Sequence, residues 1–240
     1  MPTRLALTML TLLAAADLAS GDDPHASARE RMVQTQIENR GLADPHMLRA
    51  MRAVPRHLFV PSHLSRQAYG DHPLPIGHDQ TISQPYIVAL MTEVLRPRPE
   101  DRVLEVGTGS GYQAAVLAEI VAEVFTIEIV APLAARARGL LAELGYGNVH
   151  VRTGDGYGGW PDEAPFDKII VTAAPDRVPQ PLLDQLAPGG MLVIPEGEGI
   201  QQLVLYTRKS TNGPDGRPII ERRDLLSVRF VPMTGRAGEH

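Results

Sequence analysis

The segment VLEVGTGSGY, residues Val103–Tyr112, decides the fold. It starts as a short apolar run typical of a buried strand, passes through three alternating glycines and leads into a helical pattern. Glycine lets a backbone turn sharply and approach a ligand closely, and open α/β sheets bind ligands at the carboxyl ends of their strands. The segment alone also fits a strand-to-helix turn that only needs positive φ angles. It predicts an α/β fold with a candidate ligand site at this turn.

Apolar runs and helical patterns alternate around this segment. The predicted helices span residues 27–40, 44–53, 86–95, 112–122, 132–144 and 181–186, and the predicted strands span 102–106, 124–127, 149–153, 168–172 and 191–195. Residues 54–61 are predicted to be a connector and residues 69–80 a loop. The alternation is typical of a doubly wound, mostly parallel sheet with helices on both faces. Residues 202–207 and 227–231, with a turn at 212–216 between them, predict an antiparallel C-terminal finish.

Two acidic residues, Glu105 and Glu128, lie at positions relative to the glycine turn that suggest ligand binding. Glu105 stands two residues before Gly107, and Tyr112 occupies the place where a dinucleotide fingerprint has its third glycine. Glu128 ends the next predicted strand, 19 positions after Gly109, close to the offset of about 20 at which an acid accepts from ribose hydroxyls. A solvated strand-end glutamate is the alternative, and the nearby glycine turn favours the ligand role.

Family-like motifs occur in order along most of the chain. They are VPRHLFVP (54–61), LPIGHDQTISQP (74–85), GDG (154–156) with Trp160, VTAAP (171–175) and VRFVP (228–232). Together they resemble the protein-L-isoaspartate (D-aspartate) O-methyltransferase family over about Met32–Met233. Asp79 departs from the glycine that many relatives have, and the first ~30 residues are expected to have no counterpart.

The resemblance implies a class I S-adenosylmethionine-dependent methyltransferase with a Rossmann-like fold. The implied reaction methylates the α-carboxylate of L-isoaspartyl residues in proteins and peptides, with S-adenosylhomocysteine as the product and no metal. It implies that Ser83 is the active-site residue, and that substrate contacts come from Ser83, Val228, Phe230 and Val231. The cofactor-binding residues that it implies are Gln80, Thr81, Ile82, Glu105, Gly107, Thr108, Gly109, Ser110, Gly111, Glu128, Asp155, Gly156 and Thr172.

Two of these residues have plausible structural roles as well. Ser83 would also be a good N-cap for the helix that follows, and a serine beside free N–H groups is a natural place for a substrate carboxylate. Asp155, between two glycines, is well placed for an adenine amino group, and an Asx turn is a serious alternative for it.

The implied chemistry needs little catalytic apparatus. A sulfonium methyl is already electrophilic, and a carboxylate is already ionised at neutral pH. Positioning and desolvation should therefore suffice, without a general base. An RNA or small-molecule methyltransferase, a cofactor-binding protein without turnover and a nicotinamide dehydrogenase stay open as alternatives. Ala173-Ala174-Pro175 replaces the Asn-Pro-Pro-Tyr common in enzymes that methylate base amino groups, which argues against N-methylation of nucleic acid.

The amino-acid composition limits the kinds of partner and ligand that the protein is expected to bind. A net charge of -5 and a pI near 5.9 argue against a broad phosphate-binding surface. Arg52, Arg56 and Arg66 are predicted to form a solvated helix face, and His57 and His63 to be surface or loop residues rather than metal ligands. The chain has no cysteine and its eight histidines show no metal-ligand spacing, so no metal site is expected. We expect no nucleic-acid or membrane partner and a monomer.

The N-terminal residues allow two interpretations. Residues 1–26 are predicted to be a signal-like or non-conforming extension, and residues 27–240 a single methyltransferase domain. The apolar stretch Leu5–Ala16 resembles a signal peptide, which would mean export. The alternative is translation from Met32, and a chain that begins there is predicted to be active. Because S-adenosylmethionine is made in the cytosol, we expect a cytoplasmic protein.

Overall fold

The computed structural model describes residues 23–235, so the predicted extension 1–26 lies almost entirely outside the described residues. The elements in chain order are α1 (Ala26–Met32), α2 (Pro45–Ala53), β1 (Leu74–Gly77), β2 (Gln80–Ile82), α3 (Pro85–Leu95), β3 (Arg102–Val106), α4 (Tyr112–Ala118), β4 (Glu123–Glu128), α5 (Ala131–Glu143), β5 (Val149–Thr153), β6 (Phe166–Val171), α6 (Gln180–Asp184), β7 (Leu186–Glu196), β8 (Gln201–Asn212) and β9 (Pro218–Val228).

Seven strands form one sheet in the order β5-β4-β3-β6-β7-β8-β9. The neighbours from β5 to β7 pair in parallel, and β8 and β9 are antiparallel. The parallel strands are rich in Val and Ile, which pack well on a pleated surface. The class I methyltransferase fold and its antiparallel finish are therefore confirmed.

Two hydrophobic clusters cover the two faces of this sheet. Successive residues of a strand point to opposite faces, so Val103 belongs to one cluster and Leu104 to the other. Helices α2 to α5 close the first cluster, and α6 with Trp160 closes the second. Each fully buried apolar side chain stabilises the fold by about 1.5–3 kcal/mol. Within residues 23–235, no helix is long and apolar enough to cross a membrane.

The N-terminal helices differ in detail from the prediction. The predicted helix 27–40 consists of α1, a π-helical turn at Val33–Ile37 and a 3-10 turn at Glu38–Arg40. Helix α2 begins as predicted, because Asp44 Oδ1 accepts a hydrogen bond from the Met47 N–H at 2.8 Å and Pro45 occupies the first turn.

Residues 69–80 are not a plain loop, contrary to the prediction. Strands β1 and β2 form a hairpin in which Leu74 pairs with Ile82. The turn residues His78 and Asp79 have φ angles of 54° and 56°, as two-residue hairpin turns require, and aspartate tolerates this region better than most residues. Prolines and glycines in the segment hid the alternation of buried and exposed positions. The second strand of the hairpin ends at Ile82, immediately before Ser83.

The C-terminal strands are longer than predicted. β7 starts at Leu186 rather than 191, and the edge strand β9 covers Pro218–Val228 rather than 227–231. After Val228 the chain leaves β8 and crosses toward the end of β6, where Ala174 N–H donates to the Val231 carbonyl at 2.9 Å. Residues 229–232 therefore lie beside the carboxyl ends of the parallel strands.

The basic side chains predicted to share one solvated face do not do so. Arg52 is partly exposed and pairs with Glu30 and Glu38 at 2.9 Å each. Arg56 is instead completely buried, because the proline-bounded segment that carries it folds inward as a 3-10 turn. His57 lies on the same 3-10 turn, where it is half-buried and 2.8 Å from the Tyr69 hydroxyl.

Helix α1 is tied to the domain by Arg29. Its Nε donates to the Arg52 carbonyl at 2.6 Å, and its Nη1 donates to the Tyr69 hydroxyl at 3.3 Å and pairs with Asp23 at 2.8 Å. The side chain is only 15% exposed. A chain that begins at Met32 would lose all of these contacts.

We therefore expect a chain beginning at Met32 to be less stable than the full chain. Arg29→Met should reproduce most of the loss, about 2 kcal/mol, because charge-assisted hydrogen bonds contribute roughly 1.5–3 kcal/mol each. Arg31→Met on the exposed side of α1 is the matched control and should change stability by less than about 0.5 kcal/mol. Urea unfolding measures all three. Equal stability of the Met32 chain and the full chain would show that α1 does not hold the domain.

Candidate active site

The glycine turn is hydrogen-bonded to the end of β4. The Ile127 carbonyl accepts from the N–H groups of Gly107 at 2.8 Å and Thr108 at 3.2 Å. Glu128 accepts from the Gly109 N–H at 2.8 Å through Oε2 and from the Val130 N–H at 2.9 Å through Oε1. Each carboxylate oxygen keeps a free lone pair, and the side chain lines a cavity with Gly107 and Gly109. The structure therefore holds Glu128 ready to accept further hydrogen bonds.

Gly107 also touches the end of β6, and only glycine fits there. Its φ is +98°, and a Cβ would lie 2.4 Å from the Thr172 hydroxyl oxygen. That hydroxyl donates to the Gly107 carbonyl at 2.7 Å. Any side chain at this position would strain the backbone and displace Thr172. Glycine at this position therefore lets the turn lie directly against the end of β6.

Glu105 is a completely buried acid beneath the glycine turn. Its Oε2 accepts from the Thr126 hydroxyl at 2.5 Å, and Thr126 lies 2.6 Å from the Thr108 hydroxyl. Its Oε1 has no partner among the described residues. Burial, with a smaller contribution from the charge of Glu128, raises the pKa of Glu105 to about 8. A cationic ligand group would satisfy Oε1, so the site fits a positively charged amino group such as that of a methionine moiety.

Ser83 stands where β2 ends and α3 has not yet begun. It is not the N-cap, contrary to the prediction, because α3 starts at Pro85 and its N-cap is Gln84, which makes no side-chain cap. The X-Pro restriction keeps Gln84 extended and so moves the helix start one residue on. Ser83 instead lines a groove of about 830 Å³ with Thr172 and Val231.

The far wall of this groove is the segment after β9. Val228, Phe230 and Val231, all predicted substrate contacts, line it. Gln201 holds the segment in place, because its Oε1 accepts from the Phe230 N–H at 2.6 Å and its Nε2 donates to the Phe230 carbonyl at 3.1 Å. The side-chain amide thus replaces the strand partner that the segment loses when it leaves β8.

Most predicted site residues meet at one edge of the sheet. The predicted residues that line the groove or the cavities beside it are Gln80, Thr81, Ile82, Ser83, Glu105, Gly107, Thr108, Gly109, Ser110, Glu128, Gly156, Thr172, Val228, Phe230 and Val231. Two predicted residues do not line them. Gly111 is the N-cap of α4, with φ +87°. Asp155 accepts from the Tyr157 N–H at 2.9 Å, which is the Asx turn that the sequence left open.

Three residues at the site were missed by sequence reasoning. Thr126 gave a signal, since it is a polar residue inside an apolar strand, but its partners could not be read from the chain. Arg56 lies in the motif that was taken for a connector, and its Nη2 donates to the Ser83 carbonyl at 2.8 Å. Gln201 gave no signal, because its partner Phe230 is 29 positions away. Among the described residues no His, Cys, Asp or Glu cluster could hold a metal ion.

Comparison with known proteins decides the family. The family model of protein-L-isoaspartate(D-aspartate) O-methyltransferase matches residues 27–238. The chain belongs to this family. Membership in the protein-L-isoaspartate O-methyltransferase family disfavours an RNA or small-molecule methyltransferase and a dehydrogenase.

Individual relatives agree with the family model. A protein-L-isoaspartate O-methyltransferase from Synechococcus sp. (strain JA-2-3B'a(2-13)) is 55% identical over 219 residues, 88% of this chain and 87% of the relative. Another from Opitutus terrae is 52% identical over 236 residues, 98% of each chain, so part of the first 30 residues has a counterpart after all. A Plasmodium falciparum crystal structure assigned to this family, in complex with S-adenosyl-L-homocysteine, has a TM-score of 0.73 at 26% identity, covering 86% of this chain and 98% of that one.

Burial of Glu105 makes the stability of the folded protein depend on pH, and the direction of its pKa shift predicts whether stability rises or falls with pH. Because the pKa of Glu105 is about 8 in the folded protein and 4.5 in the reference state, the folded state holds the extra proton between these values. Its contribution to stability is full below about pH 4.5 and is lost as the pH rises to about 8, with a slope of up to about 1.4 kcal/mol per pH unit. We expect the stability of the ligand-free wild type, relative to Glu105→Gln, to fall across this range.

Urea unfolding at several pH values measures this difference. Thr126→Val should extend the decline to higher pH, because the Thr126 hydrogen bond lowers the pKa of Glu105. Parallel stability curves for wild type and Glu105→Gln would contradict the assignment of a proton to Glu105.

Proposed function

We propose that the protein transfers a methyl group from S-adenosylmethionine to the α-carboxylate of L-isoaspartyl residues in damaged proteins and peptides, which starts their repair to aspartate. One observation carries the proposal. Ser83 lines both the groove and the small cavity beside Glu105, and Thr81 and Thr172 line these two spaces as well as the cavity beside Glu128, so the three spaces share walls. A cofactor in the two cavities and a peptide in the groove would meet at these side chains.

The residues around the glycine turn would hold the cofactor. Bound S-adenosylmethionine supplies an electrophilic methyl group on a positively charged sulfur. Glu105 would accept from its amino group through the unpartnered Oε1, and Glu128 would accept from ribose hydroxyls through its free lone pairs. Gly156 would lie by the adenine, and the N–H groups around Gly109 by the methionine part. The other proposed cofactor contacts are Gln80, Thr81, Ile82, Gly107, Thr108, Ser110 and Thr172.

Ser83 and the groove would hold the peptide. The Ser83 hydroxyl would orient the α-carboxylate, and the wall of Val228, Phe230 and Val231 would flank the neighbouring peptide backbone. Since the carboxylate is ionised at neutral pH, the chain has no proton to remove before the attack. The work of these residues is to align the reacting oxygen with the methyl group and to exclude water.

The domain bounds, the oligomeric state, the compartment and the partners of the protein are part of the same proposal. We infer that residues 27–240 form one catalytic domain, that it works as a monomer, and that it acts in the cytoplasm, where S-adenosylmethionine is made. The acidic composition, with a net charge of -5, supports partners other than nucleic acid or anionic membranes. Its partners are isoaspartyl-containing proteins and peptides.

Matched peptides test the function. With S-adenosylmethionine, the protein should methylate an isoaspartyl peptide and leave the same peptide with ordinary aspartate untouched. With S-adenosylmethionine saturating, the single-turnover rate should stay flat from about pH 6 to 8, because the carboxylate is already ionised and no base has to take a proton from it. Ser83→Ala should lower that plateau by about 10- to 100-fold through lost alignment, whereas Ser62→Ala, at an exposed serine, should not.

Two results would contradict this function. Equal methylation of both peptides would remove the isoaspartyl specificity. A rate profile with a pKa near 6.5 that disappears when His57, His72 or His78 is replaced would point to a substrate that must lose a proton first.

A further inference from the structure

Arg56 is a buried cation next to the proposed substrate site. It lies on the 3-10 turn Arg56–Phe59, and its side chain is 0% exposed. Its Nε donates to the Ala68 carbonyl at 2.7 Å, and its Nη2 donates to the Ser83 carbonyl at 2.8 Å. The guanidinium carbon lies 4.8 Å from the centre of the Tyr112 ring. The positive charge is therefore hydrogen-bonded to the backbone of Ser83, the residue that is proposed to hold the substrate carboxylate.

This cation has no anionic partner in the part of the chain that the structure describes. No Asp or Glu of residues 23–235 forms an ion pair with Arg56, and its Nη1 makes no hydrogen bond. Two carbonyl dipoles and the side chains of Tyr112 and Tyr69 stabilise the charge. Burial lowers the pKa of Arg56 to about 10, so it stays charged at neutral pH. Burying a charge without a counter-charge is costly, and proteins keep such groups mainly for a function.

We propose that Arg56, held against the Ser83 carbonyl, supplies the resident positive charge for the substrate carboxylate. The inference rests on the proposed function. When an isoaspartyl peptide occupies the groove, its α-carboxylate becomes the counter-charge that the free protein lacks. Because the guanidinium is bonded to the backbone of the residue that would face the carboxylate, with little water between them, we expect the attraction to change affinity about tenfold.

The reaction decides which kinetic constant this charge affects. A carboxylate oxygen bonds to the methyl carbon as the carbon–sulfur bond breaks and its electron pair stays on sulfur, so a neutral ester and a neutral thioether form and no proton moves. The negative charge that Arg56 attracts is therefore strongest in the bound substrate and absent from the ester. Arg56 should tighten substrate binding, favour ester release and do little for the maximal rate.

Neutral and charged variants test the proposal with two probes. The probes are an isoaspartyl peptide with a free α-carboxylate and the same peptide with an α-carboxamide, and their affinities are measured with S-adenosylhomocysteine present. Wild type should bind the carboxylate at least about tenfold more tightly. Arg56→Met should reduce this ratio about tenfold, raise KM to a similar extent and change kcat by less than about threefold. Arg56→Lys should keep most of the preference.

Arg208→Met is the matched control, since Arg208 donates to the Leu186 carbonyl and has a buried Nε without a partner. It should leave the ratio unchanged. An unchanged ratio in Arg56→Met, or a fall in kcat with KM unaltered, would overturn the proposal. If Arg56→Met does not fold, wild type decides alone, because equal affinity for both probes excludes a resident counter-charge. An inactive wild type would instead remove the proposed function itself.

Discussion

The contact between Gly107 and Thr172 is the constraint on which the site depends. At φ +98°, Gly107 lies so close to Thr172 that a Cβ would stand 2.4 Å from the hydroxyl oxygen. The same turn is bonded to the Ile127 carbonyl and the Glu128 carboxylate at the end of β4. The ends of β4, β3 and β6 are thereby locked together. A rigid floor forms at the carboxyl edge of the sheet, where parallel strands place their ligands.

The charges around this floor match the two reactants. Glu128 lines the proposed cofactor cavity, and Arg56 lies behind Ser83 beside the proposed substrate groove. The reaction joins a cationic sulfonium and an anionic carboxylate and leaves neutral products. A site built this way would place each reactant near an opposite charge and bring the two together without proton transfer. The protein's contribution is then alignment of the reacting atoms in a poorly solvated site.

Much of the fold and the site could be predicted from sequence, because both depend on local patterns. The apolar strands, the glycine turn and Glu128, 19 positions after Gly109, could all be recognised in the sequence. The errors came from long-range contacts. The hairpin at 74–82 was masked by prolines, and Ser83 lost its capping role because Pro85 extends Gln84. Arg56 was misplaced outright, since nothing in VPRHLFVP shows that Ala68 and Ser83, 12 and 27 positions away, would draw it inside.

The most direct test of the account is to locate the transferred methyl group by NMR. A peptide that carries one isoaspartyl and one aspartyl residue would be incubated with S-adenosylmethionine labelled with ¹³C in the methyl group, at mildly acidic pH to slow ester breakdown. The account predicts a single labelled ester on the α-carboxylate of the isoaspartyl residue, followed by succinimide and release of labelled methanol as the pH is raised. A label on a nitrogen, or on the side-chain carboxylate of the ordinary aspartate, would contradict it.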